Sequence, residues 1–346
     1  MPSTISVPST PGDIAGPTDD PAAGAGDLAT RSGDPATGAA DRARGAGGAA
    51  PAHGAPPSRG LPDLLGRLRG DVAVRPKVDW GLAGGLREWL EDGVAASCEA
   101  LDPGVVPLGV DKEALSAVLG PHPSSYSPRR LGTRSPRPVT MPLARGILVD
   151  LLFRQLVTTG RIDDPVADGL AALEVEDGRD AVVEFVRSLR REGRAALDDE
   201  VISHAERLTV HWPALPPFWL PRTQERSTIA LGGGKVVLTG AIDLTLGAPS
   251  SGCASVVLVE VKSGARRPEH RAELHFYALL ETLRSGAPPL RVATWYSATG
   301  AMDVDEVTDE LLAVAVRRTL AGVERLCALA GGGSAAGGPR RQGEDR

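Results

Sequence analysis

The stretch SVVLVEVK at residues 255–262 decides the fold of this chain. An apolar run of this length is typical of a strand in the centre of a sheet. Because side chains alternate along a strand, Glu260 and Lys262 are expected to point to the same face. Burying either charge alone would cost several kcal/mol, so we expect each to meet an opposite charge there.

The segments around this run predict further strands and helices. Two alternating runs at 227–231 and 235–244 flank Gly232-Gly233-Gly234, which indicates a β-hairpin. Residues 268–286 begin with Pro and end with Gly, the start and stop signals of a helix. The other expected elements are a helix at 146–160, a helical region at 180–211, a strand at 290–297 and a helix at 309–330. This order predicts an α/β domain with a mixed sheet.

Composition predicts where the folded part begins and ends. Residues 1–60 are mainly Ala, Gly, Pro, Ser, Thr and Asp with almost no large apolar side chains, and residues 331–346 are also Gly-rich and polar. Such segments cannot bury enough surface to offset the entropy of ordering, so both are expected to be disordered tails. One α/β domain is expected at 61–330, with a helical N-terminal part at 61–145 and a core at 146–330.

Several protein classes are excluded at this level. Three cysteines far apart, Cys98, Cys253 and Cys327, rule out a disulfide-stapled secreted scaffold and a local Cys-based metal cluster. No apolar run approaches the length of a membrane span and no signal peptide is visible, so we expect a cytoplasmic protein without a membrane partner. The net charge of −6 means that any role with nucleic acid depends on local basic sites.

Candidate chemistry centres on two carboxylates. Asp243 closes the second hairpin strand, and the connection that follows would bring it alongside Glu260. Two carboxylates held together repel unless a proton or a cation lies between them, and a hard divalent ion such as Mg²⁺ or Mn²⁺ suits oxygen ligands. The Val261 carbonyl could add a ligand, and Lys262 could orient an attacking water. The alternative is a structural ion pair between Glu260 and Lys262, with Asp243 as a turn residue.

Three motifs in this region resemble a known family. They are GAID with Gly240 and Asp243, EVK at 260–262, and ELHFY with Glu273 and Tyr277. In this order they resemble the Gly-x-x-Asp, (Asp/Glu)-x-Lys and Gln-x-x-x-Tyr motifs of the RecB-like branch of the PD-(D/E)XK nuclease superfamily. The resemblance covers about residues 146–297.

Two positions depart from the pattern of that branch. Its upstream Gly-x-x-x-His helix is represented by Gly146 and Asp150, so Asp stands where the family has His. Glu273 stands where the family has Gln. Asp150 is expected to be either a further metal ligand or a salt-bridge partner. Glu225 resembles an acid that the branch often carries before the strand pair.

The resemblance implies a fold and an activity. It implies a restriction-endonuclease-like mixed sheet flanked by helices, and a metal-dependent hydrolase of the EC 3.1 class that acts as an (exo)deoxyribonuclease. The expected catalytic residues are Asp243, Glu260 and Lys262, with Mg²⁺ or Mn²⁺ as cofactor. DNA is favoured over RNA as the partner, in a role such as DNA repair. Because the chain lacks a P-loop, we expect any motor to come from a partner helicase or repair protein.

Basic side chains are the candidate contacts with the phosphate backbone. Arg266 and Arg267 come shortly after EVK, and Arg129 and Arg130 belong to a Pro-rich basic loop. The alternative for that loop is an ordinary solvated loop with no phosphate contact. Glu273 and Tyr277 are expected to contact the backbone or to support Lys262. The alternative function is a catalytically inactive module on the same fold that binds nucleic acid or protein. The oligomeric state is open.

Overall fold

The computed structural model describes residue 68 and residues 75–99, 106–123, 126–129, 131, 138–212, 215–250 and 252–332. The tail predicted for 1–60 lies outside this part of the chain. The tail predicted for 331–346 also lies outside it, except for residues 331 and 332, which end the last helix.

The predicted mixed α/β architecture is confirmed. Within the described residues there are eight α-helices and six strands. The helices are α1 (Trp80–Ser97), α2 (Lys112–Leu119), α3 (Met141–Thr159), α4 (Pro165–Val175), α5 (Asp180–Ser188), α6 (Arg191–His211), α7 (Pro268–Ser285) and α8 (Asp309–Gly332). The strands are β1 (Leu108–Val110), β2 (Arg222–Leu231), β3 (Val236–Leu246), β4 (Val257–Lys262), β5 (Arg291–Tyr296) and β6 (Ala301–Glu306). None of the helices in the described ranges is long and apolar enough to cross a membrane.

The sheet is organised around β3. Strand β2 pairs antiparallel with β3 along almost its whole length, through the predicted Gly232–Gly234 turn. The opposite edge of β3 is shared, because β1 pairs parallel with its first residues and β4 pairs antiparallel with its last residues. Strands β1 and β4 therefore run towards each other along one edge, and their carboxyl ends face a gap beside residues 239–243. Strand β5 then pairs parallel with β4, and β6 pairs antiparallel with β5.

Helices cover both faces of the sheet and create two apolar cores. The α7-side core contains residues of α1, α2, α7 and α8, with Leu238 and Leu258 from the sheet. The α3-side core contains residues of α3 to α6, with Leu244 and Val259 from the sheet. The two faces of β4 thus alternate as expected, and Glu260 and Lys262 lie on the face that α7 covers.

The alternation in β3 breaks at Asp243. Ile242 belongs to the α7-side core, whereas Leu244, two residues later, belongs to the α3-side core. The β2–β3 pairing is interrupted at the same place, between the pairs Thr223–Leu244 and Glu225–Ile242. Asp243 therefore lies where the side-chain alternation of β3 changes, and the β3–β4 register places it opposite Glu260.

Helix α7 has the boundaries that its sequence predicts. Pro268 occupies the first turn, where no backbone donor is needed, and Gly286 ends the helix with a φ of 78°, which only glycine adopts easily. The helix packs its apolar side on the sheet through Phe276, Tyr277 and Leu280.

Some elements differ from the sequence-based expectation. Strands β1 and β6 and helix α4 are not predicted, and the helical region at 180–211 is interrupted between α5 and α6. β1 has only three residues and β6 has three acids among its six residues, so neither carries a strong strand pattern. The N-terminal part is therefore not purely helical, since β1 joins the sheet.

A disulfide joins two of the cysteines. Cys98 at the end of α1 is bonded to Cys327 in α8, with 5.7 Å between their Cα atoms, although 229 positions separate them in sequence. Separation on that scale gives no spacing signal, which is why the sequence indicates no bridge. Both residues lie in the α7-side core.

Gly240 is expected to be essential for packing α7 on β3. A Cβ atom at this position would lie 2.8 Å from Cδ1 of Leu280 and 2.8 Å from Cε1 of Tyr277. We expect Gly240→Ala to lower the free energy of unfolding by about 1–3 kcal/mol, measured by urea denaturation.

A matched control is Gly85→Ala on the exposed side of α1. A Cβ atom at Gly85 meets nothing within 4 Å, so this change should leave stability unaltered or raise it by up to about 1 kcal/mol. Equal effects of the two substitutions would contradict the packing role of Gly240.

Candidate functional site

The site lies at the unpaired stretch of the β3 edge, between the carboxyl ends of β1 and β4. Asp243 immediately precedes Leu244, the first β3 residue that pairs with β4, and the same register continued by one residue places it opposite Glu260. The backbone N–H of Val261 donates to Oδ2 of Asp243 at 2.8 Å, which fixes the carboxylate beside β4. The expected meeting of Asp243 with the EVK strand is thus present.

Glu260 is a buried carboxylate held by two lysines. Its side chain is almost completely buried, and its Oε1 atom accepts from Nζ of Lys262 at 2.9 Å and from Nζ of Lys112. Its Oε2 atom is buried and has no hydrogen-bond partner. Burial opposes ionisation of Glu260, but the attraction of Lys112 and Lys262 outweighs it and lowers the pKa of this carboxyl.

Lys262 bridges two acids from different elements. Its Nζ atom lies 2.9 Å from Oε1 of Glu260 and 2.8 Å from Oε2 of Glu273 in α7. Burial favours the neutral amine, but Glu260 and Glu273 outweigh it and raise the pKa of Lys262. Glu273 therefore contacts Lys262 from α7 through a carboxylate. The motif that ELHFY resembles has the amide side chain of Gln at this position.

Asp243 carries the least compensated negative charge at the site. Its carboxylate accepts from two neutral groups, the Val261 N–H and the amide nitrogen of Gln224 at 3.0 Å. Burial and repulsion by Glu260 and Asp150 raise the pKa of Asp243 well above the ordinary Asp range. A bound cation or a proton would remove this electrostatic repulsion.

Asp150 lies beside Asp243 and is also ion-paired. The amide nitrogen of Gln224 donates to Oδ1 of Asp150 at 2.9 Å, so one side chain joins the two acids. Arg154, one turn further along α3, lies 3.1 Å from Oδ2 of Asp150. Burial raises the pKa of Asp150 even though Arg154 opposes the shift. The salt bridge expected for Asp150 is present, and its carboxylate also lies beside Asp243, whereas its role as a metal ligand stays a prediction.

Two residues of the site were not singled out from the sequence. Gln224 has a φ of 53°, in the left-handed region that residues other than glycine avoid. Such backbone strain is often found at functional positions. Lys112 follows a three-residue strand and has no motif around it. Neither position carries a pattern that could have indicated contact with the EVK strand.

Two cavities flank the acids. A cavity of about 280 Å³ is lined by Asp150, Val261, Lys262 and Arg267, among others. A second cavity of about 610 Å³ is lined by Asp150, Asp243, Lys112, Arg179 and Arg226, among others. Asp150 lines both cavities, so the acids separate two openings that each carry basic side chains.

The predicted phosphate contacts have different surroundings. Arg267 is exposed and lines the smaller cavity, whereas Arg266 is ion-paired with Asp303 at 2.6 Å. Arg129 stacks on Tyr126 at 5.6 Å, near β1. Arg130 lies outside the described residues.

Tyr277 and Glu225 have contacts within the protein. Tyr277 is 5% exposed, and its ring lies under the ammonium group of Lys112 at 5.1 Å, so it supports the site from inside. Glu225 lies within β2 and pairs with Arg222 at 3.2 Å and Arg284 at 3.1 Å. It is therefore placed in an ion-pair network rather than with Asp243 and Glu260.

The carboxylate oxygens of the site are suitable ligands for a divalent cation, although a lysine and a glutamine side chain lie against the acids. Within the described ranges, no three His, Cys, Asp or Glu side chains cluster closely enough to hold a metal ion as they stand. The Lys112 ammonium and the Gln224 amide lie against the carboxylates instead. The Oε2 atom of Glu260 is an oxygen donor without a hydrogen-bond partner, and the raised pKa of Asp243 reflects negative charge that its neutral partners leave uncompensated; both suit a hard cation.

Comparisons with known proteins add little. No protein-family model matches the chain, and no curated protein matches it. Solved structures do match, among them one described as "Crystal structure of SSO0001". It is 10% identical, with 68% of this chain and 84% of that chain covered and a TM-score of 0.26. A likeness at that TM-score carries no argument about fold or function.

The raised pKa of Asp243 predicts a pH dependence of stability. In the presence of a chelator, the native protein holds a proton on Asp243 that the unfolded chain releases above about pH 4. The free energy of unfolding should therefore fall as pH rises from there through the folded-state pKa. Asp243→Asn removes this titration, so we expect urea unfolding at a series of pH values to give a flatter profile for the variant.

Glu260 contributes with the opposite sign. Its lowered pKa gives stability that is present above the ordinary Glu pKa and is lost as pH falls, so it affects the acidic side of the profile. Identical slopes for the wild type and Asp243→Asn above about pH 4 would contradict the raised pKa of Asp243.

Proposed function

We propose that this chain is a divalent-metal-dependent nuclease that hydrolyses phosphodiester bonds of DNA, similar to the RecB-like branch of the PD-(D/E)XK nucleases. One observation carries the proposal: Asp243, Glu260 and Lys262 meet at the gap where β1 and β4 end on the edge of β3. Ligand sites of open α/β sheets lie outside the carboxyl ends of strands, at points where the strand order changes.

The acids and the lysine would have separate tasks. Asp243 and Glu260 would hold Mg²⁺ or Mn²⁺, with Asp150 and the Val261 carbonyl as further oxygen donors. A bound cation of this kind lowers the pKa of a water and stabilises negative charge on a phosphate. Lys262, held between Glu260 and Glu273, would orient the attacking water with its ammonium group.

The basic groups of the two cavities suit a phosphate backbone. Arg267 lies on the side of Lys262, and Arg179 and Arg226 lie on the side of Asp243. A strand that crosses the acids would meet positive charge on both sides, which offsets the repulsion between phosphate and carboxylate. The acidic net charge of the chain therefore does not oppose local binding.

A second function has its own supporting observation. The Lys112 ammonium contacts Glu260, and the Gln224 amide joins Asp150 and Asp243, so each acid has a partner within the protein in the absence of a cation. A site stabilised in this way could persist in a protein that binds nucleic acid or another protein without cutting. The two functions differ in whether a divalent cation binds at the acids.

Cleavage of DNA is the direct test. We expect the full chain to cut linear DNA with Mn²⁺, and we expect Lys262→Ala and Asp243→Ala each to lower the rate by about 100-fold or more. The matched control is Lys77→Ala, which removes an exposed lysine before α1. Equal activity in all four preparations, or none in the wild type, would defeat the nuclease proposal, and binding without cutting would favour the second function.

Cation binding is a separate prediction. A ligand that binds only the native state at 100 times its Kd stabilises it by about 2.7 kcal/mol. We therefore expect Mn²⁺ to raise the melting temperature of the wild type and to have much less effect on the double variant Asp243→Asn/Glu260→Gln. A similar rise in both proteins would place the cation elsewhere.

A further inference from the structure

Glu260 is neutralised from two directions. Lys262 approaches it along β4, and Lys112 approaches it from the start of α2, and both ammonium groups contact the same oxygen, Oε1. The second oxygen, Oε2, is buried without a partner. Lys262 is also held by Glu273, whereas Lys112 has Glu260 as its ion-pair partner among the described residues.

We propose that Lys112 is an internal counter-ion that a divalent cation displaces from Glu260, after which its ammonium group faces the larger cavity and contacts the phosphate backbone. The inference rests on the metal site of the proposed function. In this inference, the segment of β1 and α2 takes part directly in cation binding at that site.

The approach of Lys112 follows from the topology of the sheet. Strand β1 runs parallel to β3 and ends at Val110, opposite Leu238. Asp111 then caps α2 by accepting from the N–H of Ala114 at 2.7 Å, which starts the helix at Lys112. Because β4 approaches along the same edge from the other end, the first side chain of α2 reaches the last acid of β4.

Lys112 has room to move when it is released. Its side chain is 20% exposed and lines the cavity of about 610 Å³ together with Arg179 and Arg226. The Tyr277 ring beneath its ammonium group, at 5.1 Å, offers a cation–π contact that does not depend on Glu260. The released ammonium would therefore add to the positive side of this cavity.

The choice of lysine supports a role in exchange with a cation. The chain has four lysines among its 38 basic residues, at 77, 112, 235 and 262, and two of the four converge on one carboxylate oxygen. Arginine binds a carboxylate through a wide planar fork, whereas lysine is a compact point charge on a flexible stem. A compact charge can hold the place of a metal ion and leave it again.

Isothermal titration of the full chain with Mn²⁺ tests the competition. We expect Lys112→Met to bind Mn²⁺ on the order of tenfold more tightly than the wild type, because the competing charge is gone. Lys112→Arg, which keeps a positive charge, should show no such gain. Lys77→Met is the control for loss of an exposed lysine and should leave the affinity unchanged.

The wild-type protein provides a second measurement, made on the Lys112 side chain itself. Lysine labelled with ¹³C at Cε gives four resonances, which the four single substitutions assign. On addition of diamagnetic Mg²⁺, we expect the Lys112 resonance to shift in step with binding, while the Lys77 and Lys235 resonances stay. A structural lysine that remains on Glu260 would not shift in this way.

The outcomes separate this inference from the proposed function. Tighter Mn²⁺ binding by Lys112→Met together with a shifted Lys112 resonance supports displacement, even if no DNA is cut. Cation binding with an unmoved resonance and unchanged affinity in Lys112→Met overturns displacement, even if the protein is a nuclease. If neither the wild type nor Lys112→Met binds a cation, both this inference and the nuclease proposal fail.

Discussion

Strand β3 has one edge paired with β2, and β1 and β4 divide the other edge between them. Because β1 runs with β3 and β4 runs against it, their carboxyl ends point at each other across a short unpaired stretch. Strands that end at the same point of a sheet bring together side chains from distant parts of the sequence. The contact between Lys112 and Glu260, 148 positions apart, is a direct result of this arrangement.

Electrostatics then determines what the gap can contain. Burial of an ionised carboxylate is costly without a compensating charge. Glu260 has two ammonium groups on one oxygen, while Asp243 has hydrogen bonds from neutral donors only. The two acids respond oppositely, with a lowered pKa for Glu260 and a raised pKa for Asp243. In the function we propose, a divalent cation binds between Asp243 and Glu260 and compensates the charge of Asp243. In the further inference, this cation displaces the Lys112 ammonium group from Glu260.

Part of the site was accessible from the sequence because it lies within single elements. The two-residue spacing of Glu260 and Lys262 on one apolar strand sets their common face, and the spacing of Glu273 and Tyr277 places both on one side of α7. The partners of these residues were not accessible in the same way. Gln224 and Asp243 come together through a left-handed residue and a break in the β2–β3 pairing, and no residue pattern marks either feature.

The sequence by itself determined the mixed α/β class, the β2–β3 hairpin, the central strand β4 and the limits of α7, because these depend on local periodicity and on Gly and Pro signals. Only the tertiary structure decided that β1 and β6 join the sheet, that Cys98 bonds Cys327, and that Lys112 and Gln224 reach the acids. The physical reason is the same in each case. These contacts link residues far apart in the chain, and their stability comes from strand pairing and from charge compensation in a buried place, neither of which leaves a periodic trace in the sequence.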